Sequence, residues 1–453
     1  MKKIKVYQYP KYNKNIIYDL KQDINNHIEI DYNYLIKEEF NRLYMSEDIY
    51  RLQDSTLSFQ KLLDITKSKR GIEGYKYKYS DKPNGDKWEP FFTGQVYRYF
   101  AISEVNKWVE LLGNEKSDYL DYFKGEKILI RRIISRKNRL QSMITNDDLL
   151  IGKDLYSFKI TDKSFNIKYL LGVLNSTLIS YLYYMRSTVA QKDDFRQTTL
   201  EEIRQLPIVK ADEEVQQKIV KIVDRLINFK KEIYQLNFKE DIENYYTKQI
   251  SNKIELSKLI RWDQLIIGRE KIIIDKIKRY GIIYNIEIKD DGNWCVFIIN
   301  GKQITDQSKE IELTSNELFS VLDLDVHVKE FIIHHLKKIK NIDTKKKTML
   351  DFVLDIKIPE FDSSRPQNLI EIKKIMNIYN QTFSLFNNKL SEMHNAEAEI
   401  DAIIFKLYGV SPSSIGLILD SLGRDATTNI SLNPEINLDE EYNSLILKYL
   451  NEN

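Results

Sequence analysis

Two stretches with the 3.6-residue apolar period dominate the chain and limit what it can fold into. From Asp212 to about Tyr246, "VQQKIVKIVDRLINFKKEIYQL" repeats apolar residues at helical spacing beside a long charged face. From residue 365, "RPQNLIEIKKIMNIYNQTFSLFNNKLSEMHNAEAEIDAIIFKLYGVSP" runs on to the Gly409 stop and Pro412. A helix over 366–408 is too long for one globular core without a partner. The expectation is an antiparallel arm in which 366–408 packs on 212–246. Upstream, the Leu206-Pro207-Ile208 break separates this arm from an apolar helix over Asn166–Arg186, because a residue before proline is pushed out of the α region.

The rest of the chain has a different texture. Residues 61–165 alternate short apolar runs with Gly and Pro turn signals, as in "DKPNGDKWEP" and "FFTGQVYRYF", which predicts a mixed, mostly β domain. Residues 270–357 open with "IIYNIEIKDDGNWCVFIINGKQIT", where Asp-Gly and Asn-Gly between alternating runs predict a hairpin or meander, followed by a helix at "VKEFIIHHLKKIKN". The fold class expected is therefore α+β: a mostly β domain, long helices and a small α/β insert. Domain bounds follow as a lead-in segment at 1–60, the mostly β domain at 61–210 and a helical spacer at 211–265. An insert at 266–360, the long helix with a closing motif at 361–416 and an acidic, weakly attached tail at 417–453 complete the chain. The lead-in segment mixes β-like runs with a helix pattern at "IKEEFNRLYMSEDIYRL".

At 453 residues, two or three cores are expected. Lys and Arg number 69 against 67 Asp and Glu, so charge has to be read locally. A single cysteine, Cys295, cannot pair internally or build a thiolate cluster, which suits a reducing, cytoplasmic setting. No run approaches the ~20 apolar residues of a membrane span, and the N-terminus carries no secretory signal pattern.

Most catalytic constellations are absent from the sequence. No G-x-G turn, paired-proline adenine loop, P-loop or G-x-S-x-G elbow occurs. Of the five histidines, adjacent His334 and His335 point to different helix faces, predicting one packed and one exposed imidazole. A magnesium-dependent nuclease remains as an alternative, built from Asp275 and the Glu287-Ile288-Lys289 triplet of the hairpin. Against it, strand alternation would put Glu287 and Lys289 on a solvated face. A second triplet, Glu371-Ile372-Lys373, lies in the long helix, where residues two apart do not face each other.

Basic residues and tyrosines cluster instead in the mostly β region. "KGEKILIRRIISRKNRL" (124–140) holds Arg131, Arg132, Arg136, Lys137 and Arg139 beside a buried-strand pattern. "TKSKRGIEGYKYKY" (66–79) adds Lys67, Lys69, Arg70 and Tyr75, and "GQVYRYF" (94–100) adds Tyr97 and Arg98. Such side chains neutralise phosphates and read guanine edges; the alternative is charge that blocks pairing at a sheet edge. The Asn175-Ser176 pair in the apolar helix reads as a notch that satisfies nearby backbone.

The order of these segments resembles the target-recognition half of adenine-specific DNA methyltransferases and fused restriction-modification enzymes, the TaqI-like C-terminal specificity domain. "LLDITKSKRGIEGYKYKY" resembles its opening turn, "PFFTGQVYRYF" its aromatic-basic strand and "KILIRRIISRKNRL" its basic strand. "YLLGVLNSTLISYLYY" is similar to its Leu-Asn-Ser helix, "LPIVKADEEVQQKIVKIVDRLI" to its exit into a spacer, and "EAEIDAIIFKLYGVSPSSI" to its closing motif. The resemblance covers roughly 50–230 and 366–416. It implies a DNA specificity subunit or half, with double-stranded DNA as ligand and no catalysis by this chain alone. A separate methyltransferase or restriction subunit would carry S-adenosylmethionine, because the methyltransferase half that usually lies upstream in the family is not in this sequence.

Overall fold

The computed structural model describes residues 3–7, 27–31, 52, 59–102, 107–111, 120–134, 139–187, 190, 197–246, 252–260, 280–304, 309–322, 324–345, 347–360, 369–423 and 440–452. The chain divides into two compact units: Met1–Leu236 with Asn388–Asn453, and Asn237–Asn387. The helix pattern expected in the lead-in segment lies outside the described residues. Two strands there, Lys3–Tyr7 and His27–Asp31, pair antiparallel.

The first unit is built around two four-stranded sheets. One is antiparallel throughout, in the order Ser142–Thr145, Lys127–Arg131, Leu155–Ile160, Thr66–Arg70. The other runs Leu150–Ile151, Trp88–Phe92, Lys107–Glu110, Tyr79–Ser80, with a parallel first pair. Their shared core includes Ile72, Phe92, Val96, Val109, Leu129 and Ile151. Gly71 lets the backbones meet: a Cβ there would lie 2.2 Å from the Gly152 carbonyl oxygen.

A short frame closes this unit. The lead-in strand Phe59–Lys61 pairs antiparallel with the exit strand Pro207–Val209. Leu62, first residue of the turn Leu62–Ile65, donates its amide to the Leu206 carbonyl at 2.9 Å. The helix Leu200–Arg204 precedes the exit strand, capped by Thr199, whose hydroxyl accepts from the Glu202 amide. Arg204 reaches back with Nε to Ser68 Oγ and a terminal nitrogen to the Ser68 carbonyl, both at 2.9 Å, fastening frame to sheet.

The apolar helix is two helices, Ile167–Asn175 and Thr177–Arg186, rather than one over Asn166–Arg186. Ser176 is extended at φ −65°, ψ 156°, and its hydroxyl accepts from the Ile179 amide, so it caps the second helix. Gly172 is required by packing: a Cβ would lie 2.7 Å from an Ile219 methyl of the spacer helix Glu213–Leu236. That spacer stops before the expected Tyr246, because Asn237 turns left-handed at φ 47° and ends it.

The long helix spans Leu369–Leu407 and pairs antiparallel with the spacer. Arg225 meets Glu399 at 3.5 Å, and Lys389 meets Glu232 at 3.0 Å. Tyr408, in the closing Tyr-Gly pair, locks the frame: its hydroxyl donates to the Pro207 carbonyl at 2.9 Å and accepts from the Val209 amide at 3.2 Å. Gly409 follows at φ +66°. The tail is better attached than expected, since Tyr442 and Ile446 of the helix Glu440–Glu452 are buried and the Tyr442 hydroxyl reaches Asp401 at 2.9 Å.

The second unit, Asn237–Asn387, has wider bounds than the insert expected at 266–360. Its sheet has the order Glu310–Leu322, Trp294–Ile304, Gly281–Asp291, Ile342–Asp343. Gly292, at φ +62°, makes the hairpin turn read from Asp-Gly. Asn300-Gly301 is no turn: it lies inside a strand beside register shifts, and a Cβ on Gly301 would meet the Ile282 carbonyl oxygen at 2.2 Å. The helix Val326–Leu336 follows, and aromatic packing of Phe238 on Phe386 at 5.0 Å fills the core.

Candidate nucleic-acid interface

Thr66–Arg70 is the outer strand of the antiparallel sheet, its free edge fastened at Ser68 by Arg204. Alternation buries Thr66 and Ser68 and turns Lys67 and Lys69 to the other face. There both ammonium groups lie over the Tyr122 ring, at 5.7 and 6.0 Å from its centre. Lys159, directly across from Lys67 in the register, joins them. Its Nζ donates to the Asp121 carbonyl at 2.8 Å, and the Asp121 carboxylate takes Lys67 and Lys159 together. The hydrogen bond from Lys67, reinforced by Lys159, holds that carboxyl below its ordinary range. Lys67 and Lys159 thus share one aspartate, with Lys69 beside them over the Tyr122 ring.

Further along the same strand, Arg70 donates Nε to the Lys153 carbonyl at 2.9 Å. Arg132, at the end of the central strand, lies 3.8 Å from Asp154, and its backbone amide donates to the Asp154 carbonyl. Tyr156, the register partner of Arg70, hydrogen-bonds the Thr198 carbonyl at 2.8 Å between them. From Lys67 to Arg70 the strand advances about 10 Å at ~3.3 Å per residue, enough to follow more than one phosphate along a backbone. Lys153, Lys159 and Tyr122 were not singled out from sequence. Their signal, "DLYSFKITD" beside "DYLDYF", shows only once the strands are in register.

Several sequence candidates sit elsewhere. Arg131 is partly buried and donates to Gln141 Oε1 at 3.0 Å. Tyr97 is buried, its hydroxyl bonded to Gln95 at 2.6 Å. Arg98 and Arg139 are interior, at 2% and 1% exposure, which removes both from any DNA surface: a guanidinium closed off from solvent cannot meet a phosphate without opening the core. Arg98 pairs with Glu397 of the long helix at 2.5 Å, and both arginines donate to the Asn175 carbonyl, at 2.7 and 3.2 Å. Burial works against both charges, but the pairing wins, raising the Arg98 pKa and lowering that of Glu397. Arg136 and Lys137 lie outside the described residues, as does the side chain of Tyr75.

Asn175 itself completes a sheet edge. Its Oδ1 accepts from the Ser142 amide at 3.0 Å and hydroxyl at 2.9 Å, while Nδ2 donates to the Ser142 carbonyl at 2.9 Å. The side-chain amide therefore stands in for a neighbouring strand. Asp401 accepts from the Thr177 amide at 2.8 Å and from its hydroxyl, so the closing motif caps the second apolar helix.

The nuclease constellation is not assembled by the described residues. Glu287 is exposed and accepts from Asn300 at 3.3 Å, Lys289 is exposed on the same strand, and Asp275 lies outside the described residues. Among the described residues no group of three His, Cys, Asp or Glu could hold a metal ion. His335 is buried with a ring nitrogen 2.5 Å from the Tyr246 hydroxyl, and His334 packs on Tyr379 at 4.4 Å, so neither imidazole is fully exposed. A cleft of about 990 Å³ beside the spacer helix carries Lys163, Lys168 and Lys210 but equally Glu126, Asp212 and Glu213, and so has no net preference for an anion.

The antiparallel sheet, its strand frame and the paired helices form an α+β arrangement. Residues 89–208 match the model of the TaqI-like C-terminal specificity domain. Over 213 residues it is 38% identical to a Methanocaldococcus jannaschii protein named as a putative type II restriction enzyme and methyltransferase. That match takes in 45% of this chain and 18% of the relative's length. The chain is also similar to the S subunit of a type I restriction-modification system from M. genitalium, at 12% identity and a TM-score of 0.36, covering 78% of this chain and 97% of that one. No described helix is long and apolar enough to cross a membrane.

Proposed function

We propose that this chain selects a duplex DNA sequence on behalf of an adenine-N6 methyltransferase or restriction-modification enzyme. The observation that carries the reading is the match of residues 89–208 to a specificity domain. Lys67, Lys69, Arg70, Arg132, Lys153 and Lys159 give the same module a basic outer strand and corner. Phosphate contacts there would set position, and the neighbouring Arg136 and Lys137 segment is the candidate for reading base edges. Methyl transfer and S-adenosylmethionine are assigned to a methyltransferase or restriction partner, with the paired helices as docking arm. The relative's name joins restriction and methyltransferase activities in one protein, of whose length this chain matches 18%.

The test is selection from a random duplex library by the purified full chain, followed by sequencing. Enrichment of one short motif supports the reading, and its absence over several rounds refutes it. A labelled-methyl assay on the same preparation should show transfer to DNA only when the methyltransferase partner is added.

A further inference from the structure

Lys67 and Lys159 stand directly opposite each other in the antiparallel register of Thr66–Arg70 and Leu155–Ile160. Side chains so related leave the same face with Cβ atoms about 5 Å apart, and like charges placed there destabilise a sheet. An anion between them removes the repulsion. Asp121 supplies it: one carboxylate oxygen takes the Lys67 ammonium, and the other lies 3.4 Å from that of Lys159.

The backbone sets this carboxylate in place. The Asp121 carbonyl accepts from Lys159 Nζ at 2.8 Å, the Tyr122 carbonyl accepts from the Ser157 hydroxyl at 2.5 Å, and Phe123 is buried in the core of the unit. Residues 121–123 are thereby pinned across the face of the two strands, and a side chain as short as aspartate has little reach beyond the lysines. Yet the Asp121 side chain is 49% exposed and that of Lys67 41%. Rotation about the Asp121 Cα–Cβ bond therefore turns the carboxylate out to water and opens the space between the two ammonium groups without moving the backbone. A phosphodiester offers that space what the carboxylate offers, a negative charge spread over two oxygens that accept charge-assisted hydrogen bonds. Both are anions, so they cannot share it.

We infer that Asp121 is an internal competitor for the DNA phosphate that Lys67 and Lys159 receive: its carboxylate fills the phosphate position in the free chain and leaves when the duplex binds. Its effect falls on cognate and non-cognate duplex together, because a phosphate contact carries no base information. The inference rests on the proposed function, and the experiment separates the two. Binding of the full chain to its selected duplex and to a scrambled one is measured by fluorescence anisotropy over a range of salt. Wild type is compared with Asp121→Asn, with a Lys67→Ala, Lys159→Ala double variant, and with all three substitutions combined, each checked for native unfolding. Asp121→Asn should bind both duplexes more tightly and steepen the log–log salt slope by about 0.9, so that its advantage shrinks about 3.5-fold when salt rises fourfold. Without the two lysines the same substitution should gain less, because the carboxylate then has no ion pair to surrender. If the lysine variant is weakened but Asp121→Asn binds no more tightly than wild type, the carboxylate is only a structural partner and this inference falls alone. It falls alone too if Asp121→Asn gains as much without the lysines as with them, since the effect is then diffuse repulsion. If the lysine variant binds like wild type, the proposed surface on the first unit falls, and the inference with it.

Discussion

Arginines of identical sequence appearance do opposite jobs here. Arg98 and Arg139 hold the Asn175 carbonyl and, through Arg98, Glu397, whereas Arg70 stays on the outer strand and Arg132 at the end of a central one. Removing one member of a buried ion pair leaves the other charge stranded, so Arg98→Ala should destabilise the first unit by about 3–5 kcal/mol. Lys67→Ala, at a partly exposed strand position, should change stability by no more than about 0.5 kcal/mol. Denaturant unfolding of the two variants checks this, and equal stabilities would contradict the assignment. The sequence showed that the region is basic but not which arginines turn inward. Arg98 follows the strand Gln95–Tyr97 next to Tyr99, whose φ of 62° breaks the alternation. Arg139 finds its partners across the chain, at Asn175. Asn175-Ser176, by contrast, was legible as a backbone-satisfying notch, because a buried amide in an apolar run has few other uses.

Periodicity located the helices well and their ends less well. The spacer and long helix were visible because an amphipathic 3.6 period persists over many turns. The stop at Asn237 depends on one left-handed residue, and the break at Ser176 on a serine cap reinforced where Asp401 accepts from Thr177. Asn300-Gly301 misled for a related reason: the pair usually makes a turn, but here glycine is demanded by a neighbouring backbone. Gly172 serves the same purpose between helices. Gly172→Val would drive methyl groups into Ile219 and Val223, and overpacking of this kind costs about 1–3 kcal/mol. Thermal or denaturant unfolding should show that loss, and a variant as stable as wild type would mean the helix and spacer are not closely packed.

Across the whole molecule, buried titratable groups couple folding to acid, most plainly in the second unit. Burial pushes His334 and His335 of the second unit from 6.5 down to about 4. The unfolded chain therefore binds more protons than the folded one between about pH 6.5 and 4, and stability falls as pH drops through that window. Unfolding followed at pH 7.5 and pH 5 should show this loss, and His335→Gln should reduce it; a flat profile would contradict the buried neutral imidazoles. We propose that the outer strand of the first unit and the neighbouring Arg132 meet DNA phosphates. The most direct measurement is the salt dependence of full-chain binding to its selected duplex, with Lys67, Lys69, Arg70 and Arg132 replaced by alanine one at a time. Where the replaced side chain met a phosphate, the log–log slope should flatten by about one unit and binding should weaken for all sequences alike. Four folded variants with wild-type slope and affinity would contradict the account.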